Sequence, residues 1–164
     1  MLKETKIKLQ TKRRLLWAAV IGWALLIFCF SAQPADSSSR LSGSVTAKLL
    51  QALPSVKALP PVQKMKTVEV VHNFIRKLAH FTIYGIFGIW VYCLCGSYRF
   101  SFCKAFFIAF CACAAYAATD EFHQLFVPGR SCMLLDVVTD SAGSVAGILL
   151  MHTVHDKLCF LKEK

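Results

Sequence analysis

Charge is scarce in this sequence. Asp, Glu, Lys and Arg make up 17% of its 164 residues, while 56% are apolar and the mean hydropathy is +0.53. A soluble domain carries about a quarter charged residues, so an ordinary water-soluble fold is excluded. Acids are the scarcer sign, nine against nineteen Lys and Arg, for a formal net charge of +10. Such an excess is also found in nucleic-acid binders, but no recognition motif accompanies it here. Much of it gathers in Lys3, Lys6, Lys8, Lys12, Arg13 and Arg14, just before the first apolar block. Basic segments beside a span mark the cytoplasmic side of a membrane, so nucleic acid is not an expected partner. Polar/apolar alternation is also missing from the apolar blocks, which excludes a β-barrel. Eight cysteines are present but no CxxC pair, and six of them lie in or at the edges of apolar blocks, where Cys acts as a small hydrophobe. HExxH is absent too. No metal and no cofactor is expected.

What the chain does have is long apolar blocks, at Leu15–Ala32, Phe74–Cys95, Phe102–Thr119 and Leu134–Met151. Each approaches or reaches the roughly 17–25 residues that cross a hydrocarbon core as a helix. In lipid only helices or closed barrels satisfy their backbone groups. The expected fold is therefore all-α, an integral membrane bundle of four transmembrane helices. Met1–Arg14 is its basic cytoplasmic start. A cleaved signal peptide competes for the first block, with small residues near Ser31–Ala32, but the block is long for an h-region.

Between the first two blocks lies a polar connector, Gln33–Asn73, opening with the Pro/Ser-rich QPADSSSR. Within it Val45, Leu49, Leu50 and Leu53 recur at helical spacing, which suggests an amphipathic helix over Leu41–Leu53, either on the bilayer surface or over the tops of the spans. Pro54, Pro60 and Pro61 forbid one continuous helix through the connector. In the second block Lys77, His80 or Phe81, Tyr84 and Gly88 share a helix face, and in the fourth Gly143 and Gly147 form a small-xxx-small pair that lets helices approach closely. Four spans from a cytoplasmic N-terminus return the C-terminus to the cytoplasm. The connector and the Asp120–Met133 junction then lie outside.

That topology brings Lys77, His80, Tyr84, Asp120, Glu121, His123, Gln124, Arg130, Asp136 and Asp140 to one level of the membrane. Ionisable groups at membrane depth carry a cost and usually have a reason to be there. KLAHFTIYG at Lys77–Gly85 and TDEFHQLFVPGRSCMLLDVVTDSAGSVAG at Thr119–Gly147 resemble the VanZ-like family, and FSAQPADSSSRLSG after the first block does so more loosely. The resemblance runs over 30–151. It implies a small multi-span protein of the bacterial envelope, from a family named for a member associated with low-level resistance to teicoplanin, a lipid-tailed glycopeptide. It carries over no settled reaction. Asp140 is a departure, because the family more usually has Asn there, and a second acid changes the charge of the region.

Three readings follow from the residues. In the first the outer-face group binds an anionic envelope lipid or glycopeptide among the membrane lipids, with Lys77, His80, Tyr84, Gln124, Arg130, Asp136 and Asp140 as ligand-binding residues. Arg130 on its PGR turn offers a planar fork suited to phosphate or carboxylate. In the second, His123 with Asp120 or Glu121 acts as a general base in a membrane-embedded hydrolase or transferase. In the third the polar groups only hold helices together, through pairs such as Lys77 or Arg130 with Asp136 and Asp120 with Arg76. Whether the glycine pair packs within one chain or between chains, and hence the oligomeric state, is open at this level.

Overall fold

The computed structural model describes residues 2–34, 43–48, 50, 60–130 and 132–162. Four long helices account for nearly all of it: α1 (Leu2–Ser31), α2 (Pro61–Ser97), α3 (Phe102–Gln124) and α4 (Leu134–Lys162). All four are long and apolar enough to cross a membrane. Residues 43–48 form a short additional helical stretch. There Thr46 and Leu50 are buried and Val45 is exposed; Leu49, Leu53 and the rest of the suggested amphipathic segment lie outside the described residues.

Helix starts and stops follow local chemistry. α2 begins well before the apolar block at Phe74, because Pro61 at the first helical position has the required φ and no amide to satisfy. Residues 61–73, the last part of the connector, are therefore helical. Arg99, at φ 58°, turns the chain between α2 and α3. Gly129, at φ 75°, does the same between α3 and α4, in the left-handed region where only glycine is unstrained.

α2 is the central element, packing against all three other helices and most intimately against α4. The α2–α4 seam is made of glycine. A Cβ on Gly147 would strike the carbonyl of Gly85, one on Gly143 the carbonyl of Phe81, and one on Gly88 the backbone of Ser144. The small-xxx-small pair thus packs inside the chain. α3 offers a matching stripe of Ala105, Ala109, Cys113 and Ala117, all buried. Tyr84, Phe87, Val91, Ile148 and Ile27 fill the space between. Large apolar side chains such as Leu25, Phe107, Phe122 and Leu150 face outward, as expected where lipid is the solvent and small residues make the helix contacts. α1 is tied on by side-chain bonds to helix carbonyls, among them one from Arg13 to Ser97 O at 2.9 Å. Trp23 Nε1 donates to Ile83 O at 2.9 Å, and Tyr116 Oη donates to Ala24 O at 2.6 Å.

Candidate functional site

The polar residues of the sequence converge where α1 and α3 finish, beside the middle of α2 and the early turns of α4. On α3, Asp120, Glu121 and Gln124 all point inward and are buried. Gln124 Nε2 donates to Asp120 Oδ2 at 3.3 Å, an i,i+4 contact within the helix. Gln124 Oε1 accepts from Arg130 at 3.3 Å. The spacing that suggested an Asp120–His123 dyad does not produce one. His123 turns toward α1, its ring centroid 4.6 Å from that of Phe28, and its Nδ1 has no hydrogen-bond partner. Asp120 is likewise not paired with Arg76. The i,i+4 neighbour Gln124 has taken it.

Arg130 spends its fork on the chain itself. Its Nε donates to Gln33 O and its Nη2 to Phe30 O, both at 3.1 Å. These are carbonyls at the C-terminal end of α1, where a helix leaves acceptors unmet and a cation is favourable. Burial, helped by the like charge of Arg76, pushes the Arg130 pKa below its ordinary value, against the pull of Asp120 and Glu121. Arginine still stays charged. It fastens the PGR turn to α1 rather than offering a free clamp.

Glu121, 1% exposed, accepts from the Met133 amide at 3.2 Å, just ahead of α4. An anion there meets both an orphan donor and the positive end of the helix dipole. Two pairs cross from α2 to α4: Lys77 Nζ lies 3.5 Å from Asp136 Oδ1, and His80 Nδ1 lies 3.6 Å from Asp140 Oδ1. Asp140 is fully buried, and at that separation neither of its oxygens has a hydrogen-bond partner. Tyr84, below His80, has an equally unpartnered hydroxyl. Among the described residues no group of three or more His, Cys, Asp or Glu side chains is placed to hold a metal ion.

Two cavities meet here. The larger, about 250 Å³, lies between the end of α1 and the middle of α2. Ile27, Phe30, Ile75, Ala79 and Ile83 form its apolar walls, and Arg76, His80, Tyr84, Asp120 and Arg130 its polar side. The smaller, about 40 Å³, is lined by Lys77, Gln124, Asp136, Thr139 and Asp140. Arg76, His80 and Arg130 line both. Arg76 makes no hydrogen bond or ion pair with another described residue. Sequence reasoning assigned it no binding role, although it stands one helical turn before His80 and so shares its face.

A family model described as VanZ/LLP1 matches residues 16–155. The chain belongs to the VanZ/LLP1 family. The matched stretch takes in the apolar part of every span and all the residues that line both cavities. Comparison with curated proteins and with solved structures finds no match.

Proposed function

We propose that this VanZ/LLP1-family membrane protein binds an amphiphile at the outer face, holding an anionic group against Arg76 and the apolar portion in the larger cavity. The observation that carries this reading is the coincidence, in one cavity, of apolar walls and a guanidinium that has no partner among the described residues. A lone cation at the level of a membrane span is costly, and a bound phosphate or carboxylate would relieve that cost through a charge-assisted pair. The mouth is rimmed by exposed Phe30 and Val45, which suits a ligand arriving from the bilayer. The six basic residues ahead of the first span favour a cytoplasmic N-terminus, which directs this end of the bundle outward. Lys77 and His80, already facing acids, are secondary contacts in this reading, and Arg130 shapes the wall.

The test is photocrosslinking of phosphatidylglycerol to the purified full chain, comparing wild type with Arg76→Ala and Lys77→Ala at matched unfolding midpoints. Arg76→Ala is expected to lower labelling about tenfold, the worth of one charge-assisted hydrogen bond, with a smaller effect of Lys77→Ala. Equal labelling of wild type and Arg76→Ala would sink the reading. Because the VanZ-like family is named for a member associated with low-level teicoplanin resistance, a second arm measures teicoplanin and vancomycin susceptibility of a host expressing each variant, with membrane abundance checked. The acyl tail of a lipid-tailed glycopeptide suits the apolar walls of the cavity, and a tail-less glycopeptide has no such group to place there. Wild type should therefore shift the teicoplanin response alone, and Arg76→Ala should abolish that shift. Loss of the variants from the membrane would instead support a purely structural polar cluster.

A further inference from the structure

The unmet hydrogen-bonding capacity of this end of the bundle is mostly that of acceptors. Asp120 Oδ1, Asp136 Oδ1 and both oxygens of Asp140 are buried without a hydrogen-bond partner. Asp136 and Asp140 line the smaller cavity, which adjoins the larger one along Arg76 and His80. Tyr84, 1% exposed and also unpartnered, points into the larger cavity beside Asp120. A buried acceptor left unmet costs its full desolvation penalty, so a group that enters the smaller cavity is favoured if it donates hydrogens. At about 40 Å³ the space admits one water-sized group. A guanidinium or a trimethylated amine is too large for it, and a trimethylated amine has no hydrogen to give. Lys77, which faces Asp136, is 44% exposed, whereas the ion-pair partner of Asp140 among the described residues is His80, at 3.6 Å.

Resting on the amphiphile reading above, we infer that the preferred ligand is zwitterionic, an amphiphile with a phosphate and, a short linker away, a primary ammonium. The phosphate lies against Arg76, where the two cavities meet. The ammonium donates to Asp140 and Asp136 in the smaller cavity, and the acyl part follows the apolar walls of the larger one. This placement gives a partner to a guanidinium that has none among the described residues and hydrogen-bond donors to carboxylate oxygens that have only longer ion-pair contacts, which an anionic headgroup by itself cannot do.

The experiment incorporates the full chain into nanodiscs of phosphatidylcholine and measures which of three spin-labelled lipids it retains: phosphatidylethanolamine, phosphatidylcholine or phosphatidylglycerol. Phosphatidylethanolamine is expected to be retained about tenfold over the other two, one charge-assisted bond's worth of preference. Asp140→Asn should erase that preference over phosphatidylcholine, and Arg76→Ala should weaken all three lipids. Soluble glycerophosphoethanolamine should compete poorly. Equal retention of phosphatidylcholine overturns the ammonium assignment, as does a preference that survives Asp140→Asn. Phosphatidylglycerol retained best overturns it too, while leaving the anionic-group reading intact. Retention of none of the three overturns both readings. Full competition by the soluble headgroup overturns the role of the apolar cavity. If Asp140→Asn does not fold, the comparison of the three lipids on the wild-type chain still decides.

Discussion

At the level of single residues, the chemistry of this protein is governed by which polar groups are already engaged. Arg130 and Arg76 carry the same side chain and line the same two cavities, but one is anchored to Phe30 O, Gln33 O and Gln124 while the other has no partner among the described residues. Arg130→Lys keeps the charge and loses the fork. It is expected to cost about 1–3 kcal/mol, from bonds lost at partly buried carbonyls, read as a lower unfolding midpoint in detergent. Lipid labelling at a temperature where the variant is folded should change little. Glu121 is a comparable case. Glu121→Ala removes both the acceptor for Met133 N and the negative charge at the start of α4, and should destabilise by about 1–3 kcal/mol. Glu121→Gln should recover part of that loss, since the amide oxygen can still accept. If Glu121→Gln were as damaging as Glu121→Ala, the hydrogen bond would not be what matters.

Among the helices, α2 and α4 form the rigid pair that carries the site, because Lys77, His80, Asp136 and Asp140 all lie across their seam. That seam depends on the absence of side chains. Gly147→Ala places a methyl against the Gly85 carbonyl, so the helices must part, and overpacking of this kind costs about 1–3 kcal/mol. The contrast is Gly22 on α1, where an added Cβ meets nothing within 4 Å. Gly22→Ala should be neutral or stabilising by about 0.5–1 kcal/mol through helix propensity. Thermal unfolding of the two variants side by side, followed by circular dichroism, gives opposite signs if the seam is packed as described. A seam variant should also weaken lipid labelling, because separating α2 from α4 pulls His80 away from Asp140.

For the whole molecule, the orientation of the bundle decides which side of the membrane the cavities serve. Native cysteines provide the test. Cys132 is exposed in the turn beside the site, and Cys103 is exposed at the opposite end of α3. In single-cysteine variants, a membrane-impermeant maleimide should label Cys132 in intact cells and Cys103 only after lysis. The reverse pattern would place the cavities on the cytoplasmic side and remove envelope ligands from consideration. α1 closes one wall of the larger cavity and is fastened through Trp23 and Tyr116. Tyr116→Phe is expected to loosen that wall, at about 1 kcal/mol for the lost bond, and to speed lipid exchange more than it lowers the unfolding midpoint.

Four helices and a membrane environment were legible from the sequence alone, because block length and hydropathy are local properties and lipid leaves the backbone few choices. The sequence also placed Lys77, His80, Asp120, Glu121, Gln124, Arg130, Asp136 and Asp140 at one end of the bundle, since helical rise and span order set the depth of each. Partners were another matter. Spacing could not show that Gln124 rather than His123 would take Asp120, that Arg130 would turn back onto α1, or that Arg76 would be left without a partner at the junction of two cavities. Each of those outcomes depends on the rotation of one helix against another and on where a connecting turn folds back. Such distances are created only when the glycine seam of α2 and α4 closes.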